Sequence, residues 1–200
     1  MCEIYTFPAT TWIAHKPAIL KALRYSILMN PDGIAICTPT QTLQLVAVPG
    51  EDFALYRNRV INMLRQMHVD TRIWIHLRYA TTQHVGVTEC HGFQAIDAAD
   101  NTRYMHNGML KGAHAACFRV DSFALPYNVT TLEPLQDVLE RDGTTYANIF
   151  EIKDETYTVT RMGGGELCTN KERTMYGTSP IPGLGMNTLV APYSTATRPH

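Results

Sequence analysis

At 200 residues with a formal net charge of −1, the chain suits one domain with a real core, and nothing electrostatic points to nucleic acid or an anionic membrane as partner. No apolar run reaches the roughly 18 residues of a membrane span, and the opening Met-Cys-Glu-Ile-Tyr lacks the regions of a signal peptide. The five cysteines (Cys2, Cys37, Cys90, Cys117, Cys168) are scattered, with no pair spaced for zinc or a redox dithiol, which predicts no metal, no cofactor and a reduced, cytoplasmic setting.

Along the chain, His15 to Met29 carries Ile19, Leu20, Leu23, Ile27 and Leu28 at helical spacing. Asn30-Pro31-Asp32-Gly33 supplies turn chemistry. Ile34 to Cys37 and Leu43 to Val48 read as short strands. Phe53, Tyr56, Val60, Leu64 and Met67 place a second amphipathic helix between Glu51 and Met67. Thr71 to Tyr79 alternates: Ile73, Ile75, Leu77 and Tyr79 face one way, Trp74, His76 and Arg78 the other. That strand delivers Arg78 near its end, and a loop follows through Gly92. Tyr104 to Leu110 reads as a strand. Leu132 to Arg141 reads as a helix between Thr131 and Gly143. Tyr146 to Ile152, Thr156 to Arg161 and Thr174 to Thr178 are mostly strand. Gly163-Gly164-Gly165 is a turn, because it lacks the Lys-Ser/Thr ending and following helix of a phosphate loop. Asn128-Val129-Thr130 matches a glycosylation acceptor, but without a secretion signal it reads as coincidence. The mixture predicts sheets covered by helices rather than a βαβ series.

Three features can carry chemistry. Cys2 follows an initiator methionine that is normally removed before a small residue. Removal leaves a thiol and a free α-amine on one residue, and an amine of pKa about 7.7–8.0 is part free base near neutrality. Nucleophile and proton acceptor then share a residue. Arg78, in His76-Leu77-Arg78-Tyr79-Ala80-Thr81, can hold a carboxylate with two parallel hydrogen bonds; a surface ion pair is the plainer reading. His106-Asn107-Gly108 offers a side-chain amide and a glycine N–H that can stabilise an oxyanion, or else an ordinary Asn-Gly turn. His15, His68, His84 and His114 show no metal-ligand spacing. Cys37, Cys90, Cys117 and Cys168 read as packed thiols, and Asp137, Glu140 and Arg141 as a solvated helix end.

In combination and order these pieces resemble the class II, or N-terminal-nucleophile, glutamine amidotransferases. Members of that family mature to an N-terminal cysteine and carry an H-x-R-[YW]-A-T segment, then N-x-H-P-[FH], then H-N-G. The matches are Cys2, His76 to Thr81, Glu89-Cys90-His91-Gly92-Phe93 and His106-Asn107-Gly108. Asn30 to Ile36 is similar to the family's early N-x-D-G-x-G-I loop. The resemblance covers roughly residues 2 to 122. Departures fall at Gln83, at Glu89 to Gly92, and at Val120.

The resemblance implies an α+β fold, a four-layer αββα sandwich of the N-terminal-nucleophile hydrolase type, as one domain over residues 2–200. It implies that Cys2 attacks the side-chain amide of glutamine while its own amine shuttles protons. Asn107 and the Gly108 N–H would hold the oxyanion. Arg78 would bind the substrate carboxylate with Thr81 beside it, and Asp121, in Val120-Asp121-Ser122, the substrate amine. The expected partner is a separate synthase or other ammonia acceptor, with no nucleic acid and no membrane. Two alternatives remain: a free-standing amidohydrolase acting on another γ-glutamyl-type amide, and a non-catalytic regulatory subunit.

Overall fold

The computed structural model describes residues 2–80, 86, 90, 93–94, 102–112, 125, 135–153, 156–163, 167–189 and 194–197. In chain order the elements are β1 (Glu3–Pro8), α1 (Ala9–Met29), β2 (Ile34–Thr38), β3 (Gln41–Leu45), α2 (Phe53–Gln66), β4 (Arg72–Leu77), β5 (Phe93–Gln94), β6 (Arg103–Met109), α3 (Leu135–Arg141), β7 (Tyr146–Lys153), β8 (Thr156–Met162), β9 (Cys168–Thr169), β10 (Tyr176–Gly177), β11 (Asn187–Thr188) and β12 (Ser194–Thr197). The chain divides into two compact units, Met1–Cys90 with Glu166–Leu189, and His91–Gly165 with Val190–His200. Each unit is built on an antiparallel sheet.

Among the described residues the first unit holds seven strands in the order β11-β9-β10-β1-β4-β2-β3. Tyr5 and Phe7 of β1, Ile34 and Ile36 of β2, and Ile73, Ile75 and Leu77 of β4 share one face and pack on α1 and α2. Each fully buried leucine or isoleucine there contributes about 1.5–3 kcal/mol. The alternation expected of β4 is therefore the alternation found.

Helix α1 starts six residues earlier than its periodicity indicates, directly after Pro8. Trp12, 1% exposed, anchors the added turn. Lys16 crosses the Trp12 ring at 5.3 Å from its centroid and donates to the Met67 carbonyl at 3.1 Å, which ties α1 to the end of α2. Pro17 lies inside the helix with its ring exposed; it forfeits one i→i−4 bond and leaves the buried stripe intact. Ile19, Leu20, Leu23 and Ile27 are buried as expected, whereas Leu28 is 48% exposed. Leu28 sits a further 100° or so round the helix from Ile27, which carries it off the buried face.

Helix α2 begins after Asp52, whose carboxylate accepts from the Ala54 and Leu55 N–H groups at 2.8 and 3.2 Å. A cap of this kind is worth about 1 kcal/mol. Strand β3 stops at Leu45 rather than Val48, because the Val48 N–H turns to the Glu51 carboxylate at 2.8 Å. Arg59 grips the same carboxylate through Nε and Nη2, and donates from Nη2 to the Val46 carbonyl as well. The hydrogen bonds from Arg59 hold the Glu51 carboxyl below its ordinary pKa.

The expected strand from Thr174 to Thr178 shortens to the two residues of β10. Asn170 is the cause: its Oδ1 accepts from the N–H groups of Thr174 and Met175 at 2.9 and 3.1 Å, which makes a side-chain turn where a ladder would run.

Among the described residues the second unit holds five strands in the order β12-β8-β7-β6-β5. Tyr104, Ala147, Ile149 and Met162 share one face and pack with Leu135 and Leu139 of α3. Asp137, Glu140 and Arg141 are exposed on α3, as the sequence implies. Thr131 and the expected first residues of that helix lie outside the described residues. No helix among the described residues is long and apolar enough to cross a membrane.

Candidate active site

Side chains in a strand alternate between faces, so each register states which residues stand together. In the first unit, β1 pairs with β4 from Glu3↔Leu77 to Pro8↔Arg72. Extending that ladder by one step sets Cys2 opposite Arg78. Both follow the parity of Ile4 and His76, on the face opposite the helices. That face carries Ile4 and Thr6 of β1, Trp74 and His76 of β4, and Ala35 and Cys37 of β2, and every one of these is buried.

The thiol of Cys2, partly buried, donates to the Tyr79 carbonyl at 3.6 Å and accepts from the Tyr79 N–H at 3.4 Å. Arg78 is 4% exposed, which removes the surface-arginine reading.

Asn30-Pro31-Asp32-Gly33 meets the same segment. Asp32 N–H donates to the Arg78 carbonyl at 3.1 Å, Arg78 N–H donates to the Gly33 carbonyl at 2.8 Å, and the Asp32 carboxylate accepts from the Ala80 N–H at 2.7 Å. Gly33 has φ +147°, and a Cβ there would stand 2.6 Å from the Cys90 sulfur. Cys90 is fully buried and donates towards the Leu45 carbonyl at 3.7 Å, while Gln44 Nε2 donates to the Cys90 carbonyl at 2.5 Å. Burial first, then the proximity of Cys90, holds the Tyr56 hydroxyl above its ordinary pKa. Three stretches that are separate in sequence thus meet in one unit: the Cys2 end, the Asn-Pro-Asp-Gly turn and the segment around Arg78.

In the second unit, His106, Asn107 and Gly108 lie on β6. Asn107 stands opposite Asn148 of β7, which stands opposite Arg161 of β8. This row of two amides and a guanidinium runs across three strands on the face opposite α3. All three are buried, at 2%, 0% and 6% exposed. Asn107 Oδ1 is buried with no hydrogen-bond partner among the described residues. His106 has the other parity and faces the α3 side. Gly108 has φ +137°, and a Cβ there would collide with the Tyr146 carbonyl oxygen and stand 2.7 Å from Ala147 Cα. Glycine at 108 is therefore demanded by the β6–β7 ladder itself.

Cys2 and Arg78 come together in the first unit, Asn107 and Gly108 in the second. Thr81 and Asp121 lie outside the described residues, as do Gln83, Glu89, His91, Gly92, His84, His114, Cys117 and Val120. Cys37, Cys90 and Cys168 are buried, as expected. His15 and His68 are exposed. Among the described residues no group of three His, Cys, Asp or Glu side chains is placed to hold a metal ion. Asn148 and Arg161 were not singled out from sequence. The available signal was a single charged or amide side chain on the otherwise apolar parity of each strand, Asn148 with Phe150 and Ile152, Arg161 with Tyr157 and Val159.

No family model matches the sequence, and no curated protein does. Among solved structures the chain is similar to an allosteric regulatory enzyme of purine biosynthesis, with a TM-score of 0.56 at 11% identity. The match covers 88% of this chain and 41% of that one, so the chain spans about two fifths of that enzyme's length. At such identity the likeness shows the fold: a mixed α and β chain built on antiparallel sheets.

Proposed function

We propose that the chain is a class II glutamine amidotransferase-type amidohydrolase, a single domain over residues 2–200 with the four-layer αββα architecture of N-terminal-nucleophile hydrolases. The observation that carries this reading is the register of β1 on β4, which puts the Cys2 thiol in hydrogen-bond contact with Tyr79 and beside buried Arg78.

Removal of Met1 frees the Cys2 α-amine. The amine takes the thiol proton, and the thiolate attacks the side-chain amide carbon of glutamine. The carbonyl oxygen becomes an oxyanion, for which Asn107 Nδ2 and the Gly108 N–H are the donors. As the tetrahedral species collapses, the C–N bond breaks and the α-ammonium returns its proton to the departing ammonia. A γ-glutamyl thioester remains on Cys2. Water, deprotonated by the same amine, cleaves it to glutamate and the free thiol. Arg78 binds the substrate carboxylate beside Thr81, and Asp121 binds the substrate amine. The ammonia passes to a separate synthase or acceptor protein in the cytoplasm. No cofactor enters this sequence of steps.

The test is intact mass for Met1 removal, together with ammonia release by wild type and by Cys2→Ala. Wild type should begin at Cys2 and release ammonia; the variant should fold and release none. Full activity in a chain that keeps Met1 would overturn the mechanism. A second reading, a free-standing amidohydrolase for another γ-glutamyl-type amide, is favoured by the departures from the family pattern at Glu89, Gly92 and Val120. A panel of γ-glutamyl amides decides between them: preference for glutamine supports the first, poor turnover of glutamine the second. A regulatory subunit would neither turn over any amide nor be labelled by a glutamine-analogue alkylator.

A further inference from the structure

An N-terminal residue has one covalent neighbour, so its position is only as good as the last hydrogen bonds of the strand behind it. On one edge of β1 the ladder to β4 runs its whole length. On the other edge β10 pairs with β1 only at Tyr5↔Gly177 and Thr6↔Tyr176. The chain then bends at Thr178 and Ser179. The last attachment before Cys2 on that edge is made by Thr178, twice. Its N–H donates to the Ile4 carbonyl at 3.0 Å, and its Oγ1 accepts from the Ile4 N–H at 3.1 Å. A hydroxyl stands where a regular ladder would supply a backbone carbonyl. Thr178 is 5% exposed, so water does not compete for the bond.

In an antiparallel strand the N–H and C=O of residues i and i+2 point to the same edge. Ile4 points to the β10 edge, and Cys2, two residues earlier, points there as well. We infer that Thr178 is a positioning residue for the N-terminal nucleophile. By fixing Ile4 it sets the direction of the Cys2 α-amine and the register in which the thiol meets Tyr79. The inference rests on the reading of Cys2 as nucleophile and adds to it a residue 174 positions from Ile4 in sequence. A displacement of about 1 Å at a reacting group can cost as much as 10²-fold in rate, so one side-chain bond at this point has leverage.

The experiment compares wild type, Thr178→Val and Thr178→Ser as processed full-length chains. The readouts are kcat and KM on the best accepted amide, the pH profile of Cys2 alkylation by iodoacetamide, and the unfolding midpoint. Valine keeps the shape and loses the acceptor. It should lower kcat about tenfold with KM within about twofold, and should shift the alkylation profile. Serine restores the acceptor and should recover both. If valine does not accumulate as folded protein, Thr178→Ala carries the same comparison.

A lowered unfolding midpoint with unchanged kcat and alkylation profile would overturn the inference, since that is what a structural bond alone would give. Serine as defective as valine would overturn it too, because the methyl group would then be what matters. Wild type that turns over no amide would defeat the proposed function instead. The alkylation profile still decides the role of Thr178 in that case: a shift in valine restored in serine upholds it, and no shift refutes it.

Discussion

Replacing Gly108 by alanine separates two reasons for a glycine after Asn107. The first is conformational. At φ +137° an L-residue occupies a region that is essentially reserved for glycine, at a cost of about 1–3 kcal/mol. The second is steric. The new Cβ would strike the Tyr146 carbonyl and stand 2.7 Å from Ala147 Cα. Both obstacles are backbone, so no side chain can rotate aside; β6 and β7 must part where Gly108↔Ala147 pair. Overpacking of this kind costs about 1–3 kcal/mol. Together the terms predict a loss of roughly 2–6 kcal/mol, a large share of the 5–15 typical of a domain. Gly143 is the control. Its φ is +74°, and a Cβ there would meet nothing within 4 Å, so alanine should cost only about 1–2 kcal/mol. Guanidinium unfolding should be followed by far-UV circular dichroism, because both tryptophans, Trp12 and Trp74, lie in the other unit. A loss at Gly108 no larger than at Gly143 would refute the steric argument.

Three further outcomes follow from the same geometry. Arg78→Lys should raise KM for an amide bearing a carboxylate by about 10–100-fold with a smaller effect on kcat, since a point charge cannot copy a two-pronged hydrogen bond; steady-state kinetics with unchanged KM would remove Arg78 from substrate binding. Asn107→Ala should lower turnover by about 10²–10³ while substrate affinity changes little, and collapse of affinity in a binding assay would make it a substrate-positioning residue instead. Glu51, held below its ordinary value of 4.5 by Arg59, stabilises the fold fully above that value and loses the contribution as pH falls through its lowered pKa. The stability gap between wild type and Glu51→Gln should thus be full at pH 7 and shrink in acid, and a gap independent of pH would refute the assignment.

Much of this was legible in the residues, and the failures have physical causes. Helix α2 announces itself because it buries one sharply patterned face, and strand β4 because Ile73, Ile75 and Leu77 alternate with Trp74 and His76. Helix α1 hides its first turns because Pro17 imitates a boundary and the apolar pair Trp12-Ile13 splits, Trp12 buried and Ile13 exposed. Strand β1 has too few residues before Pro8 to show a period. The two-residue strands β5, β9 and β11 are too short to show one. The motifs gave Cys2, Arg78 and Asn107 but not which side chains share a face with them. That information belongs to registers such as Asn107↔Asn148 and Asn148↔Arg161, and a register is not written locally.

The weight of the functional reading comes from what these faces cost. A sheet selected for stability alone would place apolar residues opposite its helices, because exchanging buried charged groups for well-packed hydrophobic ones is often neutral or stabilising. The first unit instead puts Arg78 and His76 on that face beside Cys2, and the second puts Asn107, Asn148 and Arg161 on the corresponding face. Asn107 Oδ1 alone, buried with no partner among the described residues, costs about 1–3 kcal/mol. Its amide nitrogen offers a reason to retain it: at the step where an amide carbonyl becomes an oxyanion, a preorganised donor of this type returns about 2.7–4 kcal/mol in the transition state. Under the proposed function, the cost is borne in folding and the gain appears only in the rate. Asn107→Leu should therefore match or exceed wild type in unfolding free energy while losing turnover by at least the factor seen with alanine. A leucine variant that is both less stable and still active would show that the amide serves the fold rather than the chemistry.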